Sequence, residues 1–209
     1  MEVVTLTRGA WRTNAYLVSD GIGPEALLID PVEDGAALVV ETERLGRRIV
    51  AIVSTHSHVD HVGGVADAKA ATGAPFLIGA DAVASLRAER VRALTTSNIA
   101  MPEPPEPDRL LREGETVAVG VLTFAVLDTP GHWRGDISLY EPDRGVVFCG
   151  DTLGRGFIFN VNQGCDEPTL ISSIKSKLLT LPDATVVYPG HGPTTTIGHE
   201  RQHNRALQG

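Results

Sequence analysis

Residues 56–61 of this chain read His-Ser-His-Val-Asp-His, three imidazoles and a carboxylate within six positions. No other stretch constrains the fold as much, because these side chains can meet at one point only if the backbone turns through them. The flanks supply that turn. Ile49-Val50-Ala51-Ile52-Val53 is an apolar β-branched run of the buried-strand type. On the other side, Gly63-Gly64 leads into Val65-Ala66-Asp67-Ala68-Lys69-Ala70-Ala71, a strong helix former. The donors therefore sit on a strand-to-helix loop. Imidazole and carboxylate are ligands that divalent zinc, iron or manganese accept. Five of the chain's seven histidines fall in motif positions, so a metal site accounts for them better than a solvated loop does.

The partners are narrowed by composition. The chain has 209 residues, 42% of them hydrophobic, and a formal charge of −8. That length suits one domain with a sizeable core, spanning 1–209, and the acidic balance disfavours nucleic acid. No apolar run is long enough to span a bilayer, so no membrane partner is expected. The N-terminus lacks a basic region followed by an apolar one, and the two cysteines, Cys149 and Cys165, form no CxxC pair. Both observations point to a reducing cytoplasm. Cys149 reads as a small buried thiol and Cys165 has no base near it in sequence.

Strand patterns are expected at 2–7, 14–19, 25–29, 48–54 and 75–78, with helices at 34–45, capped by Asp34, at 62–72 and at 80–92. A second strand series occupies 115–119, 121–128, 136–141 and 145–149, followed by a helix at 167–180, a strand at 184–188 and a helix from 197. Between the two series, Met101-Pro102-Glu103-Pro104-Pro105-Glu106-Pro107 cannot form regular structure. Residues 95–108 are read as a surface excursion, with a lid over the site as the alternative. Two strand runs, each followed by helix, suggest two sheets packed together with helices outside.

Three further strand ends carry donors: Asp128-Thr129-Pro130-Gly131-His132, Cys149-Gly150-Asp151-Thr152 and Tyr188-Pro189-Gly190-His191-Gly192. In each, an apolar strand aims a ligand and a glycine leaves room for it. The series His56-x-His58-x-Asp60-His61, His132, Asp151, His191 resembles the metallo-β-lactamase-fold hydrolase superfamily. Thr129-Pro130-Gly131-His132, Gly150-Asp151-Thr152-Leu153 and Pro189-Gly190-His191-Gly192-Pro193 are most similar to its glyoxalase II (hydroxyacylglutathione hydrolase) branch. The resemblance runs from Asn14-Ala15-Tyr16-Leu17-Val18 to the tail Thr196-Ile197-Gly198-x-Glu200-Arg201-x-x-Asn204.

This resemblance implies an α/β fold, an αββα sandwich of two mixed β-sheets with helices on both outer faces. It implies two divalent ions, zinc first and iron or manganese as alternatives. His56, His58 and His132 would hold one, Asp60, His61 and His191 the other, and Asp151 would bridge them. Two such ions bring a shared water toward ionisation at neutral pH, and Asp60 would orient it and shuttle its proton. The expected activity is hydrolysis of a small-molecule thioester or ester, S-lactoylglutathione-like substrates first. A lactonase or other ester hydrolase, or a mononuclear iron persulfide dioxygenase, is the alternative. Two features depart from the glyoxalase II pattern: residues 153–166 stand where a Gly-Arg-x-Asp element is usual, and the sequence given stops at Gly209 where larger members add a glutathione-binding helical domain. Trp133, Arg134, Arg155, Phe157, Phe159 and Asn160 are candidates for the substrate cleft. His199-Glu200-Arg201-Gln202-His203 spells the H-E-x-x-H zinc-protease pattern, but a solvated terminal helix explains it better.

Overall fold

The computed structural model describes residues 1–88, 91, 102–160 and 164–208. Its backbone forms two six-stranded sheets. In the first, β1 (Glu2–Arg8), β2 (Thr13–Ser19), β3 (Glu25–Ile29), β4 (Arg48–Ser54), β5 (Phe76–Gly79) and β6 (Arg109–Leu111) lie side by side in chain order. The β1–β2–β3 part is antiparallel, and β3 through β6 run parallel. The second sheet takes β7 (Thr116–Val119), β8 (Leu122–Asp128), β9 (Ile137–Glu141), β10 (Val146–Gly150), β13 (Val186–Pro189) and β14 (Thr195–Thr196). Between β10 and β13 a small hairpin is made by β11 (Leu153–Gly154) and β12 (Phe157–Ile158).

The two-residue period of the strands sorts side chains into layers. On β3, Leu27 and Ile29 face the second sheet while Ala26 and Leu28 face outward; on β10, Val146 and Phe148 face the first sheet while Val147 and Cys149 face outward. Between the sheets, Phe124, Phe148 and Tyr16 interlock edge to face at 5.2 and 6.0 Å. Each of these buried side chains contributes about 1.5–3 kcal/mol by leaving water, so the sandwich holds itself together independently of any site at its rim. Outside the first sheet pack α1 (Gly35–Arg44) and α3 (Val65–Thr72); outside the second pack α4 (Glu167–Ser173) and α5 (Ile197–His203). The layer order is αββα, as the resemblance implied.

Local chemistry explains the boundaries. Asp34 accepts the N–H of Ala37 to start α1, and Gly73, at φ 69°, ends α3. The expected helix at 62–72 divides into a single turn, α2 (Val59–Val62), and α3, because Gly63-Gly64 lets the chain change direction between them. The expected helix at 167–180 covers α4 followed by a π-helical turn over Ile174–Leu178. Of the expected helix at 80–92, Ala80–Ala82 form a 3₁₀ turn and 83–88 are helical; 89, 90 and 92 lie outside the described residues. The same holds for 95–101 of the proline-rich excursion, whose residues 102–107 form no helix or strand. Among the described residues no helix is long and apolar enough to cross a membrane, and both cysteines are free thiols.

Candidate metal centre

Parallel pairing of β3 with β4 and of β10 with β13 brings four strand ends to one rim of the sandwich. From that rim project His56 and His58 after β4, Asp151 after β10 and His191 after β13; Asp60 and His61 follow on α2, and His132 follows β8. Two residues of the first sheet tie the rim together. Asn14 Nδ2 donates to the carbonyls of Pro189 and Gly192, and the Tyr16 hydroxyl donates to Pro189 O at 2.6 Å. Two glycines are required by close approach. A Cβ at Gly190 would stand 2.2 Å from Asp151 Oδ1, and one at Gly150 would stand 2.3 Å from Thr55 Oγ1.

The ring nitrogens His56 Nε2 and His132 Nε2 each lie 3.0 Å from His58 Nδ1. Tetrahedral zinc with bonds of about 2.0–2.1 Å needs ligand atoms about 3.3 Å apart, so this triad is already close to cation-binding geometry. Asp60, His61 and His191 form a second triad, with Asp60 Oδ2 3.6 Å from His61 Nε2 and 3.2 Å from His191 Nε2. Asp151 lies between them. Its Oδ1 is 3.5 Å from His61 Nε2, and its Oδ2 is 3.5 Å from His132 Nε2 and 3.3 Å from His191 Nε2.

Four of the five rings have a polar partner on the side away from the cluster, while His58 leaves its Nε2 without a hydrogen bond. His132 donates its Nδ1–H to Phe159 O at 2.7 Å, and His191 donates to Trp11 O at 3.0 Å. Thr55 Oγ1 donates to Asp30 Oδ2 at 2.8 Å and therefore accepts from His56 Nδ1–H at 3.1 Å. Asp30 Oδ2 is also 3.0 Å from His61 Nδ1. In each case the ring's other nitrogen faces the cluster: on His56 and His132 it carries the lone pair a cation requires, and on His61 and His191 it must first give up a proton. Thr13 Oγ1 donates to Asp60 Oδ2 at 2.8 Å, leaving that carboxylate's other oxygen free of this bond.

The electrostatics separate the triads. Burial holds His56 and His132 below their usual value and His58 down to about 3, so all three are neutral near pH 7. Burial opposes a charge on His61 too, but Asp60, Asp30 and Asp151 outweigh it and raise the ring to about 9. His191 is raised to about 10 against its burial by hydrogen bonds to Asp151 and Asp60. Burial would raise Asp60 and Asp151 as well; His61 above all, with His191, holds both carboxyls below the usual range. Without a cation, this half of the site therefore collects protons.

The donor set fits divalent cations. Asp151 Oδ1 and His61 Nε2 are buried, 3.5 Å apart, and make no hydrogen bond. Leaving such groups unsatisfied costs about 1–3 kcal/mol each, which one shared cation would relieve. Nitrogen and carboxylate oxygen accommodate zinc, iron or manganese alike.

The other expected site residues fall in different places. Trp133 packs its ring 4.6 Å from that of His58. Phe157 is 43% exposed and lies 4.7 Å from Phe159, whose ring is 5.8 Å from His191. Asn160 donates to Glu167 Oε2 at 2.6 Å, and Arg155 is exposed. Arg134 lines a separate depression of about 240 Å³ with Asp128 and Asp136. Cys149 is buried in the outer layer of the second sheet, and burial pushes its thiol up to about 12, which leaves it unreactive. Sequence reasoning passed over Asp30, Thr55 and Thr13. Asp30 carried a visible signal, since Leu27-Leu28-Ile29-Asp30 is another strand ending in a carboxylate. A cavity of about 130 Å³ opens beside Asp60, walled by Trp11, Val32, Val59 and Pro102.

Comparison with known proteins gives concordant matches. The metallo-beta-lactamase superfamily matches residues 8–191. The hydroxyacylglutathione hydrolase GloC of Haemophilus influenzae is 33% identical, over 99% of this chain and 97% of its own. Among solved structures, the BLEG-1 B3 metallo-beta-lactamase superposes with a TM-score of 0.89 at 32% identity, covering 100% of both chains. TTHA1623 in a di-iron-bound form gives 0.88 at 38% identity over 97% of this chain and 99% of that one.

Proposed function

The chain belongs to the metallo-β-lactamase superfamily, and on that premise we propose that it hydrolyses a small thioester of the S-lactoylglutathione type. The observation that carries this reading is the pair of adjoining triads sharing Asp151, in a chain that matches a hydroxyacylglutathione hydrolase along nearly its full length. A pair of divalent ions, when bound, supplies an ionised water at neutral pH and a Lewis acid for the carbonyl.

His56, His58 and His132 would hold one ion and Asp60, His61 and His191 the other, with Asp151 shared between them. Asp60, ionised at neutral pH and fixed through one oxygen by Thr13, presents the other to the attacking water, accepts its proton and returns it to the departing sulfur. The C–S bond breaks as the C–O bond forms, and the products are a carboxylic acid and a thiol. Trp11 walls the cavity beside Asp60 and Phe159 packs 5.8 Å from His191, so both rings offer apolar surface to a substrate there. The acidic chain offers no attraction to nucleic acid, and the partner is a small molecule.

Hydrolysis of a cyclic ester or lactam on the same site is the second reading, favoured by the likeness to BLEG-1. The test combines metal analysis with a panel of thioesters, lactones, β-lactams and glutathione persulfide. Two ions per chain with preferred thioester turnover support the proposal. Preferred lactone or β-lactam turnover moves the assignment to the second reading. One iron per chain with oxygen uptake on the persulfide sinks both.

A further inference from the structure

One buried carboxylate lies outside the seven-residue set. Glu200 on α5 is fully buried, while its neighbours His199 and His203 stack on each other at 4.6 Å toward solvent. The H-E-x-x-H pattern therefore splits across the helix, with the glutamate turned inward. Its Oε1 accepts from Thr195 Oγ1 at 2.6 Å, and its Oε2 accepts from Gly156 N at 2.9 Å and Asn204 Nδ2 at 2.8 Å. Asn204, also fully buried, donates from the same nitrogen to Phe157 O at 3.1 Å.

These bonds grip the hairpin where its turn enters β12. Gly156 gives its N–H from a left-handed conformation, φ +82°, and Phe157 gives its carbonyl. Two residues further on, the carbonyl of Phe159 accepts His132 Nδ1–H at 2.7 Å. We propose that Glu200 and Asn204 are positioning residues for the three-histidine triad, fixing the hairpin whose far end orients His132. If the Phe159 carbonyl drifts, the His132 ring rotates or takes the other tautomer, and an N–H replaces the lone pair that must face the cation. The second triad is held from elsewhere, His191 by Trp11 O and Asp60 by Thr13. The end of the hairpin hydrogen-bonds a ligand of the first triad and meets the second through a ring contact, Phe159 to His191 at 5.8 Å, so its orienting hold is on His132. This inference rests on the metal-binding reading of His132.

Zinc affinities of the purified full chain, measured by competition with a chromophoric chelator, test it, with thermal unfolding alongside. Glu200→Ala and Asn204→Ala weaken one of the two zinc affinities about 10–100-fold and leave the other in place. Glu200→Gln keeps an oxygen on Gly156 N and Asn204 and points its amide at Thr195 Oγ1, so it retains both affinities. The visible spectrum of the cobalt-substituted protein shifts in Glu200→Ala and returns in Glu200→Gln. Should Glu200→Ala fail to fold, Asn204→Ala and Glu200→Gln decide. Folded alanine variants with both affinities intact overturn the inference, as does a parallel loss at both sites that tracks thermal stability, or a Glu200→Gln as weak as the alanine. A wild-type chain that holds no zinc overturns the proposed function itself, and this inference with it.

Discussion

Both triads come within 3.5 Å of one shared carboxylate, yet their surroundings put them in opposite states. His56, His58 and His132 are buried imidazoles, held neutral by that burial. His61 lies beside Asp60, Asp30 and Asp151, His191 beside Asp151 and Asp60, and both attract a proton in the absence of anything better. The first triad is preorganised by geometry and the second by charge. A cation enters the first without displacing protons, whereas in the second it must displace them. The contrast shows that one ligand type, imidazole, serves two purposes according to whether carboxylates or other imidazoles surround it.

Asp151→Ala attacks what the triads share and has the largest expected effect. Turnover falls by more than about 1000-fold and metal content drops below two ions per chain, because both triads lose a ligand. The protein stays folded, since the interleaved aromatic and aliphatic layer between the sheets does not involve the rim. Elemental analysis and circular dichroism check both halves; a variant with two tightly held ions contradicts the bridging role.

Separating the triads comes next. His132→Ala loses the ion of the first triad and His191→Ala that of the second, each leaving one ion per chain and abolishing turnover. If either variant loses both ions or neither, the triads are not separate units.

The pH dependence of the chelator-stripped protein sharpens the contrast further. His61 and His191 have folded values, about 9 and about 10, above the unfolded 6.5. Their stabilisation is complete below pH 6.5 and is lost as pH rises through 9 and 10. His58, at about 3, lies below 6.5, and His56 and His132 are shifted the same way, so the unfolded state gains protons first and stability falls as pH drops below 6.5. Thermal unfolding therefore shows a maximum near pH 6.5. His191→Ala flattens the alkaline limb and leaves the acid limb. A monotonic profile removes the electrostatic distinction.

Much of this was legible beforehand, and the reason is physical. Ligands at strand ends follow apolar runs whose period reveals the strand, so β4, β8, β10 and β13 and their donors could be read from residues alone. The αββα layering followed from two strand series each trailed by helix. What escaped was short or held by backbone. β6, β11, β12 and β14 have two or three residues, too few to show a period. The carbonyls of Phe159 and Trp11 that orient His132 and His191 carry no side-chain signature. The H-E-x-x-H stretch, with only residues 204–209 after it for a further ligand, points to a solvated terminal helix, whereas Glu200 itself is buried.

The smallest expected effects come from the second layer of contacts. Thr55→Val removes the hydroxyl between His56 and Asp30, and Thr13→Val removes the donor to Asp60. Each weakens zinc about 10-fold at its own triad while sparing the other. Equal effects at both triads in chelator competition would blur the division.

Calorimetric titration of the stripped wild-type chain with zinc at pH 7, repeated in buffers of different ionisation enthalpy, tests the central claim most directly. Two ions bind per chain: the first releases almost no protons, and the second releases up to about three, two from His61 and His191 and one from the water that the pair ionises. Binding of a single ion, or of two that release protons equally, contradicts the account.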